Sequence, residues 1–276
     1  MKLKELPTSL FHEFKLRLTP IGRLISPTAE VLPVIVSLTT IESRLSIVDI
    51  TIRSILCQQQ IPEKIILWIN VKLKDAIPSS LKKLEEFKFF EIKFNEYNSP
   101  HRKLLSTMEC FPNRTIVTID DDIIYSRNWL GNLYQTHIEN PQCIVTNTAR
   151  IIQYDEKGFV LPYTEWKHAQ SQKHHLNLPI GYSGTLYPPN SLHEDVLNWD
   201  LALKIAPKAD DLWYKAMSLR KGTESIVSSR KTKLYPLRAT QKNSLRRTNV
   251  GEDMNRIQWQ QLHDSFNLQE IINQKS

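Results

Sequence analysis

The chain has 276 residues, 41% hydrophobic and 24% charged, an ordinary balance for a soluble globular protein and enough for one large domain or two closely packed halves. Its 36 Lys and Arg against 29 Asp and Glu leave a net charge of +7, which suits an anionic partner: a nucleotide diphosphate, an acidic membrane surface or nucleic acid. No apolar run approaches the ~20 residues of a membrane span, the N-terminus lacks the continuous apolar core of a signal peptide, and Cys57, Cys110 and Cys143 are too scattered for a metal site and read as reduced thiols.

Residues 1–30 are basic with apolar interruptions, Leu10, Phe11, Phe14, Leu16 and Leu18 beside Lys15, Arg17 and Arg23. The pattern fits an amphipathic membrane-surface segment or one that packs on its own domain. Val31 to Leu38 is the first strong strand, followed by Thr39-Thr40 and Arg44. Leu45 to Gln60 reads as a helix with a recurring apolar face, ended by Pro62. Lys64 to Asn70 is a second strand, Ser79 to Phe87 a helix, Phe89 to Phe94 a third strand and His101 to Cys110 another helix. This alternation predicts βαβ units in a mainly parallel sheet. No GxGxxG follows the first strand and no GxxxxGK[ST] is present, which argues against a dinucleotide cofactor and a P-loop.

Arg114 to Ile119 is a β-branched strand that runs into Asp120-Asp121-Asp122. Three adjacent carboxylates repel one another unless a cation or hydrogen-bond donors occupy them. A solvated acidic turn is the alternative, but the apolar strand before and Ile123-Ile124 after favour a half-buried position. Hard divalent ions take such oxygens together with substrate phosphates. Trp129 to Ile138 then reads as a helix and Cys143 to Thr148 as a strand. Residues 153–178 are polar, and His168, His174 and His175 read as a solvated loop rather than a metal site. Gly181 and Gly184 lie in an apolar segment, where they serve a tight turn or let a ligand approach the backbone. Asp210 and Asp211 open a helix. Asp210 fits the N-cap, which leaves Asp211 in the first turn, although both could simply favour the helix N-terminus. From residue 221 the chain is basic (Lys221, Arg230, Lys231, Lys233, Arg238, Lys242, Arg246, Arg247) and reads as a mobile loop or tail before a helix near Met254 to His263.

In this order, over roughly residues 31–260, the features resemble a GT-A-fold glycosyltransferase of the bacterial surface-glycan type. The residues that carry the resemblance are the first strand with Ser37 to Thr40, the Asp120-Asp121-Asp122 cluster, the Gly181 to Gly184 loop, and Ala209-Asp210-Asp211. It implies an α/β fold in a single domain: a mainly parallel, Rossmann-like sheet with helices on both faces. Residues 1–30 would be a basic segment, 31–130 the nucleotide-sugar half, 131–265 the acceptor and catalytic half, and 266–276 a tail. In the family an Asp-any-Asp motif holds Mn²⁺ or Mg²⁺ against the donor diphosphate. Asp120 and Asp122 match it, with Asp122 on the metal and Asp120 on ribose or a metal-bound water. Thr39 and Arg44 fall where such enzymes meet the nucleobase and ribose, and Lys103, Asp120 and Asp121 complete the donor-binding set. Asp211 matches the general base of inverting members, with Asp210 as understudy.

The implied reaction moves a sugar from a nucleotide-sugar donor to a glycan or lipid-linked acceptor. The implied location is the cytoplasm, peripheral on the inner face of the cell membrane, with no nucleic-acid partner. Two other readings share some residues. A sugar nucleotidyltransferase would use the same carboxylate–metal cluster and release pyrophosphate. A basic nucleic-acid binder would use residues 221–247 and leave the aspartates without a role.

Overall fold

The computed structural model describes residues 6–237, 251 and 253–274. Helix α1 (Leu6–Leu18) precedes β1 (Glu30–Thr39), α2 (Val48–Leu56), β2 (Gln60–Asn70), α3 (Ser79–Leu84), β3 (Phe90–Asn95), α4 (Arg102–Cys110) and β4 (Thr115–Thr118). All four strands run parallel. The chain continues through β5 (Ile123–Tyr125), α5 (Trp129–Glu139), β6 (Ile144–Thr146), β7 (Ala149–Ile151), β8 (Lys167–His168), β9 (Asn177–Pro179) and β10 (Thr185–Tyr187). It closes with α6 (Trp199–Ile205), α7 (Asp210–Lys221), β11 (Ser225–Val227), β12 (Leu234–Pro236), α8 (Met254–Ser265) and α9 (Leu268–Asn273).

Seven strands form the main sheet in the order β11-β6-β10-β4-β1-β2-β3. Only β10 runs antiparallel to its neighbours, so the sheet is mainly parallel, as the alternation predicts. Its central strands are buried on both faces, as parallel strands require. Along β1, Val34, Val36 and Leu38 join the core under α2 and α5, with Ile52, Leu56 and Leu130. The intervening Ile35 faces the other side with Ile66 and Trp68. There the Ser37 hydroxyl bonds Thr107 of α4 at 2.7 Å. Helices thus cover both faces. From β1 the chain builds β2 and β3 to one side and then returns to place β4 on the other. The β1–β4 junction is therefore a topological switch point, where ligands bind outside the carboxyl ends of the strands.

Several boundaries differ from expectation. The helix expected over Leu45 to Gln60 is α2, Val48–Leu56, and β2 starts at Gln60 rather than Lys64, because Gln60 to Pro62 pair with Glu30 to Leu32. The register then shifts between Leu32 and Ile35, an irregularity that accommodates Pro33 and Pro62, which lack N–H donors. The polar stretch 153–178 is more than a solvated loop. Strands β8, β7 and β9 form a small sheet, and Val160, Tyr163, Trp166 and Leu178 join a second core that buries His175 nearby. Residues 268–273, expected within a tail, form α9, because Leu268 and Ile272 are buried in that same core. Of the basic stretch, Ser225–Val227 and Leu234–Pro236 are strands, whereas Arg238, Lys242, Arg246 and Arg247 lie outside the described residues.

Candidate active site

A cavity of about 440 Å³ opens at the switch point. Its walls come from Thr39 and Thr40 at the end of β1, Arg102 and Lys103 opening α4, Asp120 and Asp121 after β4, Ile180 after β9, and Asp210 and Asp211 opening α7. The acidic run divides its labour. Asp121 is turned inward, 4% exposed. It accepts hydrogen bonds from Thr40 Oγ1 at 2.5 Å and Arg44 Nη1 at 2.6 Å. Burial raises its pKa, and Arg44 and Thr40 work against that rise. Asp121 therefore ties the turn to the segment after β1, a task that occupies its carboxylate. Arg44 also reaches Asp122 Oδ2 at 3.3 Å. Asp120 faces the cavity, its side chain 35% exposed, and pairs with Lys103 Nζ at 2.9 Å.

Two contacts pin this turn. The backbone N–H of Leu237 donates to the Asp122 carbonyl at 2.8 Å. The Tyr125 hydroxyl accepts from the Asp120 N–H at 3.2 Å and donates to the Tyr182 carbonyl at 2.9 Å. That second link joins the acidic turn to the Gly181–Gly184 loop, and sequence reading missed Tyr125 altogether. Gly184 has φ +88°, and a Cβ there would lie 2.2 Å from the Trp129 ring. Tight packing against this chain's own side chains accounts for both glycines, since Gly181 faces Asp211 and Lys103.

Lys103 is almost fully buried, with Asp210 Oδ2 3.1 Å from the same Nζ that pairs with Asp120. Burial alone would lower its pKa, but Asp120, Asp210 and Asp211 more than reverse this and keep it charged. The expected capping by Asp210 is not found: Ala209 is the N-cap of α7, no side chain caps it, and Asp210 sits in the first turn. The Lys103 ammonium claims its carboxylate instead. Asp211, next along the first turn, accepts the Gly181 N–H at 2.9 Å. Burial first and the Asp210 charge second push its pKa up to about 7, against the pull of Lys103 and the Gly181 N–H. A carboxylate poised near neutrality can take a proton from a hydroxyl.

Arg102, which sequence reading passed over, is a second buried cation at this end of α4. It is 1% exposed. Nε donates to the Ser99 carbonyl and Nη2 to the Thr40 carbonyl, both at 3.2 Å. Nη1 has no hydrogen-bond partner among the described residues. Burial lowers its pKa to about 10. Arg102 and Lys103 are the first two residues of α4, where the helix dipole already favours anions. Lys103 meets Asp120 and Asp210 there, whereas the buried Arg102 charge is costly without an anion to meet it.

The residues named from sequence therefore converge on one place. Thr39, Arg44, Lys103, Asp120, Asp121, Asp210 and Asp211 all line the cavity. Asp122 lies just behind, attached through Arg44. No family model and no curated protein matches the chain. Among solved structures, it is similar to a 4-diphosphocytidyl-2C-methyl-D-erythritol synthase from Anaerococcus prevotii, at 13% identity over 53% of this chain and 68% of that one, with a TM-score of 0.36. That likeness is too slight to bear on function.

Proposed function

We propose that the protein is a glycosyltransferase of the GT-A type, an inverting enzyme that moves a sugar from a nucleotide-sugar donor to a hydroxyl of a glycan or lipid-linked acceptor. The observation that carries the reading is the pairing, in one cavity, of the Asp211 carboxylate, held by the Gly181 N–H at 2.9 Å, with two buried cations at a helix N-terminus. Asp211 takes the acceptor hydroxyl's proton as that oxygen attacks the anomeric carbon. Arg102 and Lys103 receive the diphosphate, whose negative charge grows as the bond to the sugar breaks. Thr39, Thr40 and Arg44 hold the nucleoside end.

The donor set suits a divalent cation of the Mg²⁺ or Mn²⁺ kind in its sparest form. Among the described residues no group of three His, Cys, Asp or Glu side chains could hold a metal. Asp120 and Asp122 would be the two protein ligands, and substrate phosphate oxygens would complete the shell, as is usual for these ions. When bound, the cation neutralises charge on the departing diphosphate.

Nucleotidyl transfer at the same site gives the two readings opposite products. Incubation with a panel of nucleotide sugars should release a nucleoside diphosphate, whereas pyrophosphate formed from a nucleoside triphosphate and a sugar phosphate would select the nucleotidyltransferase. Nothing in nucleotidyl transfer to an already ionised phosphate calls for a base near pH 7, which is why Asp211 favours glycosyl transfer.

A further inference from the structure

Away from the cavity, α1 carries two faces. One is buried: Leu16 packs with Ile50, Ile124 and Leu237, and the Ser9 hydroxyl donates to the Pro236 carbonyl at 2.5 Å. The other is a stripe of Phe11, Phe14 and Leu18, spaced i, i+3, i+7 along one side of the helix. These side chains are 63%, 63% and 64% exposed. Large apolar groups scattered singly need no explanation, but a contiguous stripe marks a contact surface. Beside it lies a cleft of about 580 Å³ lined by Lys15, Arg23, Arg127 and His12, with no carboxylate among the described residues that line it.

We propose that α1 and this cleft dock the protein on an anionic phospholipid surface, with the stripe in the interfacial layer and the basic groups against lipid phosphates. The combination of features chooses this partner. Nucleic acid would match the cations and leave the apolar stripe in water. A second copy of the same face would set cations against cations. A bilayer interface satisfies both. Beneath α1, Leu237 donates its N–H to the Asp122 carbonyl, so the docked helix rests on the segment that ends the acidic turn. The proposal does not depend on which reaction the cavity performs, because binding is read without turnover.

The test is sedimentation of the full-length protein with phosphatidylcholine vesicles, with and without phosphatidylglycerol, at low salt. Binding should require the anionic lipid and weaken as salt rises. Phe11→Ser and Phe14→Ser should each weaken it roughly tenfold or more. Lys15→Gln and Arg23→Gln should each cost about fivefold. Far-ultraviolet circular dichroism should show every variant folded, since these side chains are exposed. Three results would overturn the proposal: equal binding to pure phosphatidylcholine, variants that bind as well as the parent, or a dimer in solution that Phe11→Ser converts to monomer.

Discussion

Gly181 donates its backbone N–H to Asp211 Oδ2 at 2.9 Å, and a Cβ at position 181 would lie 2.9 Å from the other carboxylate oxygen. The same Cβ would lie 3.1 Å from Lys103 Nζ. The loop thus orients the proposed base from a distance only glycine permits. Gly181→Ala should push Asp211 and Lys103 apart. We expect a fall in kcat of about 10²-fold, as small misplacements of reacting groups cause. Full turnover in Gly181→Ala would show that the position of Asp211 does not matter.

Asp211 should leave its mark on the pH profile. The reaction needs the ionised form, so kcat/KM, which reports the free enzyme, should climb through about pH 7 and level off above it. Asp211→Asn should lower the rate ~10²–10⁴-fold and abolish the rising limb, while calorimetry still detects donor binding. Stability should move the other way. A carboxyl whose pKa is higher folded than unfolded binds more protons in the folded state, so its contribution falls as pH rises from the ordinary carboxylate range to about 7 and stays unfavourable above that. Asp211→Asn should therefore melt higher than the parent above pH 7. A lower melting temperature there would mean that the burial cost is offset by contacts the amide cannot make.

Asp210 should behave differently from its neighbour. Since it does not cap α7 but pairs with Lys103 at 3.1 Å, Asn is no neutral replacement. Denaturant unfolding of Asp210→Asn should show a loss of about 3 kcal/mol, the low end for breaking a buried ion pair, because Lys103 keeps Asp120. Its activity should fall less than that of Asp211→Asn, because the base remains. Equal rate losses in the two variants would move the base assignment to the pair.

Divalent cations should raise the melting temperature when donor diphosphate is present, since substrate phosphates would complete the shell around Asp120 and Asp122. Asp122→Ala should remove that shift and the turnover with it, and excess EDTA should silence the parent. A parent enzyme fully active in EDTA would leave Lys103 and Arg102 as the sole positive charges on the leaving group.

Much of this was legible in the chain. Alternating apolar strands and amphipathic helices predict the parallel sheet, and the position of Asp120 to Asp122 after a β-branched strand predicts a site at a strand end. The roles of individual carboxylates were not legible. Adjacent aspartates look alike in sequence, and only the fold shows that Asp121 faces inward to Arg44 while Asp120 faces the cavity. The capping role assigned to Asp210 was reasonable from local rules alone, but Lys103, 107 positions earlier, overrides it. Arg102 escaped notice for a similar reason: a basic residue beside another basic residue reads as surface until its burial sets it apart.

Proton abstraction by Asp211 on the face opposite the leaving diphosphate predicts a defined stereochemical outcome. The most direct measurement is proton NMR of the reaction with a nucleotide sugar identified by the donor panel, following the anomeric signal and the released nucleotide together. The product should carry the anomeric configuration opposite to the donor's, appear with one equivalent of nucleoside diphosphate, and be nearly absent with Asp211→Asn. A product that keeps the donor's configuration, or release of pyrophosphate in place of a nucleoside diphosphate, would contradict inverting glycosyl transfer with Asp211 as its base.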